Sequence, residues 1–287
     1  MDITSHYISL KPYLFATAYN MTGEVHEAED IIQDAFEDVL KKKDKDVKNA
    51  KSYLTRIVIN KSIDRLKDLK AAREHYPALW LPEPLITDTD SPHKTDVLPY
   101  AILYLIEVLN PIERAVFILR ESFGESYDEI AALCGITTDN CRQILHRAKA
   151  KIKGGSLSSD VTEEKRNNLL IQEFLKACVT QNTGTLTELL RQDIVLYSDG
   201  GGKVVAARKI LEGASNVAKF LSGVIRKAFD KWKGARQILV NNEPALMMPD
   251  DNGVYMVVIP EVYGGKLAKL FIMRNPDKIF LKDSVTK

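Results

Sequence analysis

The chain has 287 residues, 45% hydrophobic and 28% charged, with three cysteines and a formal net charge of +1. That is long enough for two or three small domains, and no run reaches the ~18–20 apolar residues of a membrane helix. An odd cysteine set without a CxxC or Cys/His cluster argues against a disulfide scaffold or zinc site, and the N-terminus lacks a signal peptide's pattern, so a cytoplasmic protein without cofactor or metal is expected.

Residues 10–22 predict a first helix, with Tyr13, Leu14 and Ala18 available to a core. The stretch from Glu24 to Leu40 is clearer. Val25, Ala28, Ile32, Ala35, Phe36 and Val39 form one apolar face, while Glu24, Glu27, Glu29, Asp30, Asp34, Glu37 and Asp38 fill the remainder. Such a helix repels DNA; it is either a solvated face or a docking surface for a basic partner. A lysine-rich connection, 41–50, leads to a helix over 51–73 with seven Lys/Arg against two Asp. Acidic and basic faces side by side suit a module held between a protein and a nucleic acid. Asn60 and Asp64 are either contact residues or internal hydrogen-bonding groups.

Residues 74–95 contain Pro77, Pro82, Pro84 and Pro92, which break any helix and make this a linker. Within it lies Trp80-Leu81-Pro82-Glu83-Pro84, and a tryptophan in an extended segment needs an apolar surface to lie against.

A helical domain follows over 96–153. Ser126 and Glu129 fit a capping box, and Tyr127, Ile130, Ala131 and Cys134 make the face of a short helix. Gly135 suits the turn after it, and Thr137 or Thr138 can cap a second helix whose buried face is Cys141, Ile144, Leu145, Ala148 and Ile152. Two short helices joined in this way are a helix-turn-helix. The exposed face of the second carries Asn140, Arg142, Gln143, His146, Arg147 and Lys149. Arg pairs bidentately with guanine and Asn or Gln with adenine, while Arg147, Lys149, Lys151 and Lys153 suit phosphates. Residues 1–159 nevertheless hold 21 Lys+Arg against 24 Asp+Glu, which disfavours strong non-specific DNA binding by the free protein.

After a flexible joint at 154–160 the pattern changes. Helical periodicity at 168–178, at Leu186, Leu189 and Leu190, and from Val217 to Ala228 precedes strand-like runs at 236–241, 253–260 and 266–274. An earlier strand, 194–198, enters Asp199-Gly200-Gly201-Gly202-Lys203, and the last enters Asn275-Pro276-Asp277-Lys278-Ile279. Helices followed by a strand meander predict an α+β domain with a curved sheet.

Asn110-Pro111, Glu113-Arg114, the Ser126–Ala131 run, Gly135 and His146-Arg147-Ala148 closely resemble the −35-reading domain of extracytoplasmic-function sigma factors. Ala28 to Phe36 resembles the segment with which such factors dock on RNA polymerase. The WLPEP, DGGGK and NPDKI motifs resemble the SigJ-like group, whose C-terminal domain is SnoaL-like. The resemblance implies a multidomain protein: a helical domain over 1–75, a linker over 76–95, a helix-turn-helix domain over 96–153, and a cone-shaped α+β domain of the NTF2/SnoaL-like kind over 161–287. It also implies core RNA polymerase and promoter DNA as partners. Asp30, Gln33 and Asp34 would contact polymerase; Arg56, Asn60, Lys61, Arg65 and Lys67 the −10 element; and Thr138, Asn140, Arg142, Gln143, His146, Arg147 and Lys149 the −35 element. Trp80, Leu81, Pro82, Asp199, Gly200, Gly201, Lys203, Asn275, Pro276, Asp277 and Lys278 are candidates for a regulatory contact between cone and linker. An unidentified small ligand in the cone remains open. So does the rival reading, a cyclase- or isomerase-like cone fused to a DNA-binding regulator, with Asp199 and Lys203 as titrating groups. Against it, no histidine follows His146.

Overall fold

The structure is a computed structural model that describes residues 3–42, 49–87, 96–152, 161–207, 209–227, 230, 234–250 and 253–279. The expected joint at 154–160 and most of the 41–50 connection lie outside them. The chain divides into two compact units. One comprises Met1–His75 with Thr89–Leu157; the other comprises Tyr76–Asp88 with Ser158–Lys287. The first part of the linker is thus structurally part of the C-terminal unit.

Among the described residues the first unit is all-helical: α1 (Ile3–Thr22), α2 (Val25–Lys42), α3 (Ala50–Arg73), α4 (Tyr100–Leu105) with a 3-10 turn at Ile106–Val108, α5 (Pro111–Glu121), α6 (Tyr127–Cys134) and α7 (Thr138–Lys151). Local signals account for the boundaries. Asn49 caps α3, and capping boxes Asn110/Glu113 and Ser126/Glu129 open α5 and α6. Gly135 ends α6 at φ 67°, a conformation glycine adopts without strain. Thr137, rather than Thr138, caps α7.

Tyr19, Leu14, Ala28, Ile32, Val58 and Leu66 fill the core among α1–α3; Leu103, Phe117, Ile130, Leu145 and Ala148 fill that of α4–α7. One buried cation joins the two helical groups. Arg114 on α5 is fully buried and donates to the carbonyls of Met21 (2.7 Å) and Ile106 (3.0 Å) and to Glu107. Glu107 also takes Arg73 at 2.7 Å, and Arg73 reaches Glu24 at 2.7 Å. The low dielectric makes an unpaired charge costly, so this network constrains α1 and α3 against α5.

The second unit carries a seven-stranded sheet in the order β1-β4-β5-β6-β7-β2-β3. The strands are β1 (Ile86–Thr87), β2 (Leu190–Asp199), β3 (Leu211–Glu212), β4 (Arg236–Val240), β5 (Glu243–Asp250), β6 (Gly253–Tyr263) and β7 (Lys266–Met273), antiparallel except for β2 beside β7. Helices α8 (Val161–Val179), α9 (Thr183–Leu189) and α10 (Ala214–Lys227) bring Phe174, Leu186, Val217 and Leu221 into one core with Leu196, Met248, Met256, Val258 and Leu270. Leu190, expected on the short helix, instead begins β2.

Three strands escape the sequence pattern: β5, β1 and the two-residue β3. β5 contains Pro244 and Pro249, which argue against a central strand; Pro249 is accommodated where the register with β6 shifts after Met248. β1 is a piece of the linker added to the edge of β4, with Ile86 opposite Val240 and Thr87 opposite Leu239.

Candidate functional site

Three surfaces carry the candidate residues. On α2 the carboxylates divide by role. Glu24, just before the helix, and Glu27 and Asp38 on it face α3, where Arg73, Arg65 and Lys61 pair with them. Asp30, Gln33 and Asp34, at i, i+3 and i+4, are exposed together on another face, with His26 3.1 Å from Asp30.

Among the candidate residues of α3, Arg56 and Asn60 are exposed one turn apart. Lys61 lies 2.8 Å from Asp38, Arg65 makes a two-pronged pair with Glu27, and Lys67 lies 2.8 Å from Asp64. Asn60 and Asp64 both face outward, so neither is an internal hydrogen-bonding group. Tyr53, the aromatic residue on this helix, is half-buried.

On α7, Asn140, Arg142, Gln143, His146, Arg147 and Lys149 share the exposed face, opposite the buried Cys141, Ile144, Leu145 and Ala148. Arg142 is held 2.8 Å from Asp139 and 5.3 Å from the Tyr127 ring centroid. Lys149 pairs with Glu121 at 2.8 Å, and the half-buried Thr138 donates its hydroxyl to Asp128 at 2.7 Å. Lys151, expected to suit a phosphate, makes an ion pair within the unit. Its ammonium lies 2.7 Å from Glu113, a buried carboxylate that also accepts the Asn110 backbone N–H. Burial disfavours the charged Glu113, but Lys151 and that N–H outweigh it and hold its carboxyl below the usual range. Lys151 therefore supports the α5 cap. Burial and the neighbouring Cys141 push the half-buried Cys134 thiol up to about 12, so it stays protonated and behaves as a small apolar group.

The second unit assembles all three unusual motifs. Asp199, fully buried at the end of β2, accepts from the Tyr76 hydroxyl (2.7 Å), the Gly201 N–H (2.8 Å), the Leu81 N–H (3.2 Å) and the Lys278 ammonium (2.9 Å). Lys278 donates onward to the Leu81 carbonyl at 2.6 Å and lies 4.4 Å and 5.0 Å from the Trp80 and Tyr76 ring centroids. Asn275 donates to the Tyr76 hydroxyl at 2.9 Å, and Lys203 pairs with Asp277 at 2.6 Å. Burial, followed by the bond to Asp199, raises the Tyr76 pKa and keeps its proton in place.

The three glycines answer to close approach. A Cβ on Gly201 would lie 2.5 Å from Asn275, one on Gly202 2.7 Å from Pro77, and one on Gly200 2.4 Å from the Val204 carbonyl. Gly201 and Gly202 also take φ of 64° and 70°. Asp199 and Lys203 are both engaged, Asp199 in clamping the linker and Lys203 with Asp277, which removes the ground for reading them as a catalytic pair. Tyr76 was not identified from sequence; its place four residues before Trp80 and just before a proline was the available signal.

The Sigma-70 region 2 family model matches residues 6–72 and the Sigma-70, region 4 model matches residues 100–152. ECF RNA polymerase sigma factor SigJ of Mycobacterium tuberculosis is 28% identical, over 96% of this chain and 92% of its own. A crystal structure of SigJ from that organism superposes with a TM-score of 0.80 at 25% identity, covering 96% of this chain and 97% of the other. The chain belongs to the extracytoplasmic-function sigma factors. Probable ECF RNA polymerase sigma factor SigI, also of M. tuberculosis, is 26% identical over 94% of this chain and 92% of its own. In this sigma factor α1–α3 constitute region 2 and α4–α7 region 4, and the C-terminal unit is the SnoaL-like domain. A sigma factor directs core RNA polymerase to promoter DNA and is not an enzyme. Among the described residues, no helix is long and apolar enough to cross a membrane.

Proposed function

We propose that this sigma factor docks on core polymerase through Asp30, Gln33 and Asp34, and engages the −10 element through α3 and the −35 element through α7. On this reading Arg56 and Asn60 lead at the −10 element, with Lys61, Arg65 and Lys67 exchanging their present carboxylate partners for phosphate. At the −35 element Arg142, Gln143 and Asn140 read bases while His146, Arg147 and Lys149 meet the backbone; Thr138 helps to position the helix. The work takes place in the cytoplasm, where polymerase and DNA are.

We further propose that the SnoaL-like domain regulates the factor in cis by holding the linker. The observation that carries this is the clamping of Leu81 by the buried Asp199–Lys278 pair. Residues 74–99 join regions 2 and 4, about 26 residues that could span ~85 Å if extended. Pinning 76–87 removes nearly half of that reach, and two promoter elements are engaged together only at the right spacing. A small ligand for this domain has less support. Its core is filled by Phe174, Leu221, Met248 and Met256, so a ligand would bind instead in the ≈ 200 Å³ cleft lined by Gln181, Thr183, Leu186, Ser222, Ile225 and Arg226.

The test is transcription with core polymerase using the full chain and its Asp199→Asn variant. Loss of the carboxylate charge leaves Lys278 buried without its counter-ion, frees the linker and changes promoter output severalfold. Equal output from the two proteins, at equal polymerase occupancy, contradicts regulation through the linker.

A further inference from the structure

The linker is held in the way one protein holds a peptide from another. Both backbone groups of a single residue, Leu81, are read by one ion pair: Asp199 accepts its N–H at 3.2 Å and Lys278 donates to its carbonyl at 2.6 Å. The Leu81 side chain is fully buried, and Trp80 and Tyr76 lie against the Lys278 ammonium. A second anchor follows at residues 85–87 and is built mainly on the linker's backbone. β1 adds to the edge of β4, the Leu85 carbonyl accepts the Asn241 N–H at 2.8 Å, and the Leu85 N–H donates to the Asn241 side chain at 3.1 Å. Asn241 and Asn242 sit at φ 50° and 67°, forming a tight turn between β4 and β5 that presents these groups at the sheet edge. Asn242 then donates its N–H to the Thr87 hydroxyl at 3.1 Å.

Edge-strand addition supplying backbone bonds, with an apolar anchor supplying selectivity, is a recurrent mode of peptide recognition. Every contact in these two anchors falls on residues 76–87, and none requires covalent continuity with region 2 or region 4. We infer that the SnoaL-like domain is a peptide-binding module whose resident ligand is its own linker, and that the same site accepts an extended segment of the pattern Tyr-x3-Trp-Leu-x3-Leu in trans, the linker of a second copy being one such segment. Covalent attachment gives the resident linker a millimolar effective concentration, so exchange is visible only when that linker is weakened. The inference rests on the linker clamp alone. Its test uses neither polymerase nor DNA, so a failure here is separable from a failure of the transcription reading.

The probe is a fluorescein-labelled peptide with the sequence of residues 76–87, followed by anisotropy against four full-length proteins: wild type, Trp80→Ala, Leu81→Asp, and Leu81→Asp with Lys278→Met. Circular dichroism melts confirm folding, and Trp80→Ala serves as the milder release if Leu81→Asp unfolds. The released variants should bind the peptide at least about tenfold more tightly than wild type, and Lys278→Met should remove at least about tenfold of that gain. A peptide carrying Leu81→Asp should not compete. Peptide affinity equal for wild type and both released variants, or unaffected by Lys278→Met, overturns the inference.

Discussion

Gly202→Ala offers a clean perturbation of the linker clamp, because the protein contains its own control. Gly202 and Gly264 have nearly the same left-handed backbone, φ 70° and 60°. A Cβ on Gly264, in the β6–β7 hairpin, meets nothing within 4 Å, whereas one on Gly202 meets the Pro77 ring at 2.7 Å. Both substitutions carry the left-handed penalty, about 1–2 kcal/mol. Gly202→Ala adds overpacking against a rigid ring, of order 1–3 kcal/mol. The linker can leave, however, so the extra cost cannot exceed the free energy of seating it. Gly264→Ala should therefore lower the Tm of the C-terminal unit by roughly 2–4 °C per kcal/mol while the linker stays protected. Gly202→Ala should raise hydrogen exchange at the Leu81 and Leu85 amides far more than elsewhere in the unit. Mass spectrometry of peptides spanning 76–87 reads the difference. Equal linker exchange in the two variants would refute the reasoning, since only the Pro77 contact distinguishes them.

Two further outcomes follow from the helical unit. Lys151→Met should destabilise region 4 by about 1 kcal/mol at neutral pH, discounted for the half-exposed lysine, by stranding the buried Glu113 carboxylate. The folded Glu113 pKa lies below its ordinary 4.5, so the pair's contribution is full above that value and lost as pH falls through the folded pKa. The stability gap between wild type and variant should therefore close in acid; a gap constant down to pH 3 in denaturant titrations would contradict this. Asp34→Lys should weaken binding to core polymerase at least tenfold with the fold unchanged, as read by a binding titration alongside a thermal melt, and unchanged affinity would remove α2 as the docking face.

How much of this was legible depended on the range of the interactions. The helix-turn-helix was readable because its signals are local: Ser126 with Glu129, Gly135 at the turn, and an apolar period that put Cys141, Ile144, Leu145 and Ala148 inside. β5 was hidden because Pro244 and Pro249 speak against a central strand, and only the register shift beside β6 accommodates the second of them. β1 is two residues long and pairs with a strand more than 150 residues away, so nothing near it announces a strand. A contact between WLPEP, DGGGK and NPDKI was expected only by joining the needs of Trp80 and the glycines to the resemblance to the SigJ-like group, in which the three motifs recur together. The reason for three glycines in a row emerged only from the distances to Val204, Asn275 and Pro77. Arg114 matched a family pattern, but its burial against the Met21 carbonyl joins residues 93 positions apart, and no local pattern shows that. Likewise the basic residues of α3 looked free for nucleic acid, while in the folded unit Lys61 and Arg65 neutralise the inward carboxylates of α2.

The most direct test of the central claim is in vitro transcription from a random promoter library with core polymerase, comparing wild type, Arg142→Ala and Asn60→Ala. Transcripts recovered with wild type should depend on the factor and share two elements at fixed spacing. Arg142→Ala should relax base preference at the upstream element alone, by about 1–3 kcal/mol at the affected position, and Asn60→Ala should relax the downstream element alone. Initiation that does not depend on the factor, or identical element preferences from all three proteins, would contradict the account.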